Sequence, residues 1–368
     1  MKDAVRIAMI EATRLTQAGR LADATDLIKS ALAGVPKPAD GFRLEANAGA
    51  DLAVIEGDFE VVDDGNRVRD ARFIHGSFAN QAGTRDYKLY IPGDAVTGDR
   101  NQRRFLVVML HGCGQDPDDF ATGTRMNQLA EEQGGLVLYP AQSASANGSG
   151  CWNWFNEADQ QRGQGEPSII ADLTRQVMAS HGIDPGRVYV AGLSAGGAMA
   201  ITLAVTYPDL YAAVGVHSGL PHAAARDMLS AVGAMRQGAI RSGWLLPSHD
   251  GAAFPVIVFH GDCDTTVNPA NAAHVIAQAR SHPSGIGHLS FPDGEVLLEQ
   301  GRIPGGYAFT RTLYQDAEGR STAILWMVHG AGHGWFGGSG AGSYTEPRGP
   351  DASREMLRFF AGQRLRER

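Results

Sequence analysis

A chain of 368 residues, 43% hydrophobic and 20% charged, is long enough for one large α/β domain with additions or for two modest domains, with apolar content for a sizeable core. Its formal net charge of -8, with no long basic run, argues against nucleic acid as the main partner, and no segment is apolar for the length of a membrane span. Three cysteines, Cys113, Cys151 and Cys263, neither make a disulfide scaffold nor match a zinc-ligand spacing.

The opening residues, Met1 to Ile10, lack the apolar core and cleavage site of a secretory signal, so the expected address is the cytoplasm. Residues 4 to 33 carry apolar positions at helical spacing, broken at Gly19 and closed by Gly34 and Pro36, which reads as a helical hairpin. Residues 35 to 65 are acidic, mixed and Gly-rich, as in a linker. The expected division is therefore residues 1–65 as a helical extension and linker, and residues 66–368 as the main domain.

Within that domain, Arg72 to Phe78 and Arg85 to Ile91 read as two alternating strands joined at Gln81-Ala-Gly83. Phe105 to Leu110 is a continuous apolar strand running into His111-Gly-Cys-Gly-Gln115. A helix is expected over Phe120 to Gln133 and a strand over Gly135 to Pro140. A loop then holds Cys151-Trp-Asn-Trp-Phe155, and an amphipathic helix spans Ser168 to His181, entered at Pro167. Further strands are expected at Tyr211–Val216, Pro255–Phe259 and Ala323–Val328, and a closing helix from Asp351 to about Gly362. Residues 219 to 253 and 281 to 305 read as insertions forming a lid or rim. Strands alternating with helices predict a mostly parallel sheet covered on both faces.

One stretch carries chemistry. The β-branched and aromatic run Val188 to Val190 leads into Gly192-Leu-Ser-Ala-Gly196, and helix-forming residues follow. G-x-S-x-G recurs by chance in a chain with 47 glycines, so the strand before it and the helix after it carry the reading. In that context Ser194 sits on a strained strand-to-helix turn that projects its hydroxyl, and glycine on either side lets the backbones approach. The α/β-hydrolase arrangement orders its catalytic groups as Ser, then Asp or Glu, then His. After the strand at 255–259 come Asp262 and Asp264. Asp264 lies further into the loop and is preferred, with Asp262 a turn or capping residue. After the last strand come His329 and His333. His333, with glycine on both sides in a mobile loop, is preferred as base and His329 is the reserve. Oxyanion donors are expected from the backbone N–H of Ala195 and from the His111–Gly114 loop, at Cys113 in preference to Gly114. Trp335 is the expected substrate contact, with Trp154, Trp152 and His217 further candidates for lining the site.

With these pieces, together with Tyr207-Pro-Asp-Leu-Tyr-Ala-Ala213 and Gly332-His-Gly-Trp335, the chain resembles the poly(3-hydroxybutyrate) depolymerase family of esterases, which shades into feruloyl and acetylxylan esterases. The matching motifs run from roughly residue 70 to 362. The resemblance implies an α/β-hydrolase fold and hydrolysis of carboxylic esters without metal or organic cofactor. It implies a triad of Ser194, Asp264 and His333, and a polyester or oligoester partner. The alternatives are a feruloyl or acetylxylan type of esterase, and a scaffold without catalysis. The resemblance also implies a disulfide between Cys113 and Cys151. Such a bond suggests export, whereas a cytoplasmic address favours two reduced thiols. The lack of an export signal and of an appended substrate-binding domain points to soluble oligomers or amorphous polymer inside the cell.

Overall fold

The structure, a computed structural model, describes residues 70–93, 104–239, 253–280 and 295–365. All of them belong to the second of two units into which the chain divides, Asp64–Arg368. The expected helical hairpin at 4–33 and the linker after it lie outside the described residues.

Ten strands form one sheet among the described residues: β1 (Arg72–Asn80), β2 (Gly83–Ile91), β3 (Arg104–Leu110), β4 (Leu136–Pro140), β5 (Ile183–Leu193), β6 (Ala213–His217), β7 (Val256–Gly261), β8 (Val296–Arg302), β9 (Ala308–Gln315) and β10 (Ser321–His329). Their order across the sheet is β1-β2-β4-β3-β5-β6-β7-β10-β9-β8. The six middle strands, β4 to β10 in that order, run parallel. The hairpin β1–β2 adds to one side antiparallel, and β9 and β8 add to the other. A mostly parallel sheet was expected, and this is one.

Both faces are covered, which is why β3 reads as an unbroken apolar run. Its successive residues alternate between two cores. Leu106, Val108 and Leu110 pack with residues of the helices α3 (Gly165–His181), α4 (Ala195–Thr206) and α6 (Ala270–Ala279). Phe105, Val107 and Met109 pack on the other face with α1 (Pro117–Thr124), α2 (Met126–Gln133) and α7 (Ala352–Ala361). α4 is buried along its whole length, and its side chains are small or apolar apart from two threonines: Thr206 Oγ1 donates to the Thr202 carbonyl, and Thr202 Oγ1 meets His222 Nδ1 at 3.2 Å.

Two expectations need correction. The single helix over 120–133 is two helices. Asp116 caps the first by accepting the Asp119 N–H at 2.9 Å, and Arg125 then breaks the run in the left-handed region at φ 55°. Arg125 is held there by donating to the Gly337 carbonyl at 2.6 Å. The segment 281–305 was expected to be a lid or rim, yet its described end is the edge strand β8. β8 pairs with β9, an alternating segment whose half-buried pattern is a weak sequence signal. In the other expected insertion lies α5 (Met228–Gln237), entered through a reciprocal capping box of Asp227 and Ser230.

Candidate active site

Ser194 stands at the junction of β5 and α4, with φ 56° and ψ −117°. Serine at a helix start ordinarily turns its hydroxyl back to cap the helix, but this one makes no capping hydrogen bond. The backbone is strained there, and the hydroxyl takes no capping role. Two flanking glycines permit the turn. A Cβ on Gly192 would meet the Gly196 carbonyl at 2.3 Å, and one on Gly196 would meet the Leu110 oxygen at 2.1 Å. The Ser194 N–H is fixed to the His217 carbonyl of the next strand at 2.8 Å.

The parallel neighbours β7 and β10 deliver the other two groups from their C-terminal ends. His333 Nδ1 lies 2.7 Å from Asp264 Oδ2. Asp264 Oδ1 accepts the N–H groups of Thr266 and Val267, both at 2.8 Å. Burial alone would raise the Asp264 carboxyl. Hydrogen bonds from His260 and His333 outweigh it and hold the group well below the usual carboxylate range. The carboxylate is buried and the imidazole nearly so, at 11% side-chain exposure.

The loop carrying His333 is anchored, contrary to the mobile loop expected. Cys263 donates its N–H to the Ala331 carbonyl, and Trp335 donates its own to Tyr344. Phe336 donates its N–H to Nε2 of His217 at 3.0 Å. Trp335–Phe336 (β11) pairs with Thr345–Glu346 (β12) to close the loop on itself.

The stretch His111–Gln115 is braced from four directions. Gln115 Oε1 accepts the Gly112 N–H at 2.9 Å, which removes that N–H from the oxyanion donors. The His111 carbonyl accepts Trp152 Nε1–H at 3.1 Å. His111 Nε2 accepts the Gln142 N–H, so its Nδ1–H donates to the Gly112 carbonyl. The disulfide Cys113–Cys151, expected from the family resemblance, ties the loop to the aromatic segment. Ala195 opens α4, where backbone N–H groups have no intrahelical acceptor and the helix dipole is positive.

Sequence reasoning missed the residue that holds the aromatic segment. Glu166, buried at the start of α3, accepts from Arg85 Nη2 at 3.0 Å, from the Asn153 N–H at 2.7 Å and from Asn153 Nδ2 at 2.9 Å. The available signal was an acidic residue in a helix first turn, just before Pro167, which reads as a dipole effect and no more.

The expected substrate contacts fare worse. Trp335 is 1% exposed, stacks on His217 and meets Phe120 edge-on, and its Nε1 donates to Ser353 Oγ at 3.0 Å. It is a core residue behind His333. Trp152 is fully buried beneath the His111 loop, and Trp154 is buried edge-on to Phe155. His217 is buried too. Its Nε2 accepts from Phe336, so Nδ1–H faces Ser218 Oγ, and burial, with His260 and His333 nearby, pushes its pKa well down. These four side chains support the site from behind rather than lining it. The glycines around Trp335 belong to a tight loop that buries the indole, a pattern that also suits an exposed ring.

Comparison with known proteins accords with this geometry. Residues 85–284 match the family model described as Esterase PHB depolymerase. The chain is 34% identical to poly(3-hydroxyalkanoate) depolymerase C of Paucimonas lemoignei over 62% of this chain and 54% of that protein. It is 28% identical to feruloyl esterase B of Neurospora crassa over 66% of this chain and 81% of that protein. The chain thus spans about half the length of the depolymerase it matches. Among solved structures, the acetyl xylan esterase from Aspergillus awamori superposes with a TM-score of 0.58 at 20% identity, covering 80% of this chain and 100% of that one. That likeness establishes the α/β-hydrolase fold.

Proposed function

Since the chain belongs to the esterase PHB depolymerase family, we propose that it is a serine esterase that hydrolyses carboxylic esters through an acyl-enzyme on Ser194. The observation that carries this reading is the buried His333–Asp264 pair at 2.7 Å, delivered at the same C-terminal edge of the parallel strands at which Ser194 stands on a strained turn with no capping bond. Nδ1 of His333 is committed to Asp264, which leaves Nε2 as the nitrogen that takes the Ser194 proton. Ser194 Oγ attacks the ester carbonyl. The backbone N–H groups of Ala195 and Cys113 stabilise the oxyanion, and His333 returns the proton to the departing alcohol. Water activated by the same imidazole then releases the acid. The net change is ester plus water to acid plus alcohol. No metal or organic cofactor enters these steps.

The substrate proposed first is a hydroxyalkanoate polyester or its oligomers, supported by the family match and by the depolymerase relative. The feruloyl esterase relative supports an esterase of plant cell-wall esters as the second reading. Product analysis with 3-hydroxybutyrate oligomers against methyl ferulate separates them. Turnover of methyl ferulate alone removes the polyester reading. The Cys113–Cys151 bond supports work in an oxidising compartment over the cytoplasmic address, since such bonds persist outside reducing compartments. A purified chain with both thiols reduced and full activity would contradict that. A scaffold without catalysis is distinguished by testing turnover itself, below.

A further inference from the structure

Asp264 is gripped by more than its partner base. Besides His333, a second imidazole reaches Oδ2: Nε2 of His260 lies 3.3 Å away. His260 stands on β7, four residues before Asp264, and is fully buried. The same Nε2 is 2.9 Å from the carbonyl oxygen of Val267. Carbonyl and carboxylate oxygens only accept, so Nε2 carries the ring proton, donating it to the Val267 carbonyl with the Asp264 carboxylate close beside it at the other end of the turn. Nδ1 meets no hydrogen-bond partner among the described residues, so the ring's polar contacts with them run through Nε2.

We propose that His260 is a positioning residue for the ester hydrolysis assigned above, on which this inference rests: its Nε2–H pins the Asp264 carboxylate and the Val267 carbonyl together, fixing the orientation that His333 needs. Two features of the setting fit this. Oδ1 already takes the Thr266 and Val267 N–H groups, so one donor on Oδ2 besides His333 completes a four-point hold on the carboxylate. The strand end bearing His260 is itself fixed, because Gly261 lies so close to the base loop that a Cβ there would meet the Ala331 oxygen at 2.2 Å. The clamp therefore spans a rigid strand and the turn that presents the carboxylate, as a preorganised site requires. A side chain that only filled space here would leave the Val267 carbonyl and one carboxylate site without this donor.

The test uses the full chain and a short p-nitrophenyl ester. His260→Leu keeps an apolar side chain of moderate size and removes the donor. His260→Gln returns an amide N–H near the position of Nε2. We expect His260→Leu to lower kcat about 10- to 100-fold, the weight of one hydrogen bond to a charged group, with KM unchanged. We expect His260→Gln to recover most of kcat, while both variants unfold at similar urea concentrations. Undiminished kcat in His260→Leu would overturn the inference. So would equal losses in both variants that track their loss of stability, since that is packing alone. If the wild-type chain has no turnover that Ser194→Ala abolishes, the esterase assignment itself falls, and this inference with it.

Discussion

His329 Nδ1 lies 2.9 Å from Asp262 Oδ2, so the C-terminal ends of β7 and β10 and the loops after them carry two Asp–His couples rather than one. The two sort cleanly. His329 and Asp262 are exposed, Asp262 also accepts the Gly330 N–H, and His329 Nε2 meets Thr310 Oγ1 at 2.9 Å. Asp264 and His333 are the buried couple. An exposed pair contributes little, whereas in the mechanism proposed above a buried carboxylate orients and balances an imidazole that gains a proton. Asp264→Asn is expected to lower kcat by roughly 10³- to 10⁴-fold, and Asp262→Asn to leave it near wild type. Steady-state kinetics on a p-nitrophenyl ester checks this, and the reverse order of effects would reassign the triad.

Gly196 admits no side chain, because its missing Cβ position is 2.1 Å from the Leu110 oxygen. Gly196→Ala should force β3 and α4 apart, costing about 1–3 kcal/mol as overpacking does, or more. Urea unfolding reads the stability loss, and activity should fall with it. Gly114→Ala meets no atom within 4 Å, although its φ of +74° adds local strain, and should be milder. Equal stability of Gly196→Ala and wild type would show that the elbow is looser than its contacts indicate.

The Cys113–Cys151 bond closes a separation of 38 residues. On the chain-entropy account such a loop is worth about 4 kcal/mol. Reduction, or Cys151→Ser, should lower the unfolding midpoint and also kcat, because the bond braces the proposed oxyanion donor at Cys113. Loss of stability with kcat intact would place the donor elsewhere, at Gly114.

Acid should destabilise this chain from near neutrality downward. Burial pushes His217 well below its usual pKa, with His260 and His333 adding to the effect, and burial lowers His111. Unfolded, each takes a proton near pH 6.5; folded, each resists it. The unfolded chain therefore binds more protons below about pH 6.5, and stability falls as pH drops. Asp264 acts in the same direction at lower pH. Its depressed folded pKa gives stability that is present above the ordinary carboxyl value and lost as pH falls through the folded one. Urea midpoints from pH 8 to 4 should decline. A flat profile would mean that these imidazoles are open to protons.

What the sequence disclosed depended on how local the constraint was. Ser194 with Gly192 and Gly196 was legible because strand, turn and helix lie within about twenty residues and the glycines have a steric cause. The pairing of Asp264 with His333 was legible from the order of the strands that carry them. Trp335 misled because a glycine-flanked indole is compatible with either a rim or a core, and only the fold packs it against His217. Glu166 stayed hidden because its partners are distant in the chain, Arg85 on β2 and Asn153 in the aromatic segment, and His260 because only the fold shows the chain turning back to bring Asp264 and Val267 onto its ring. Strand β9 was missed because half-buried edge segments lack a strong apolar pattern.

Every proposed step runs through Ser194 as the nucleophile. The most direct measurement is the hydrolysis rate of a short p-nitrophenyl ester by the wild-type chain and by Ser194→Ala at matched concentration. A nucleophilic Ser194 predicts turnover by the first and a loss on the order of a million-fold in the second. Equal rates from the two, or no hydrolysis by the folded wild-type chain of any ester tried, would contradict it.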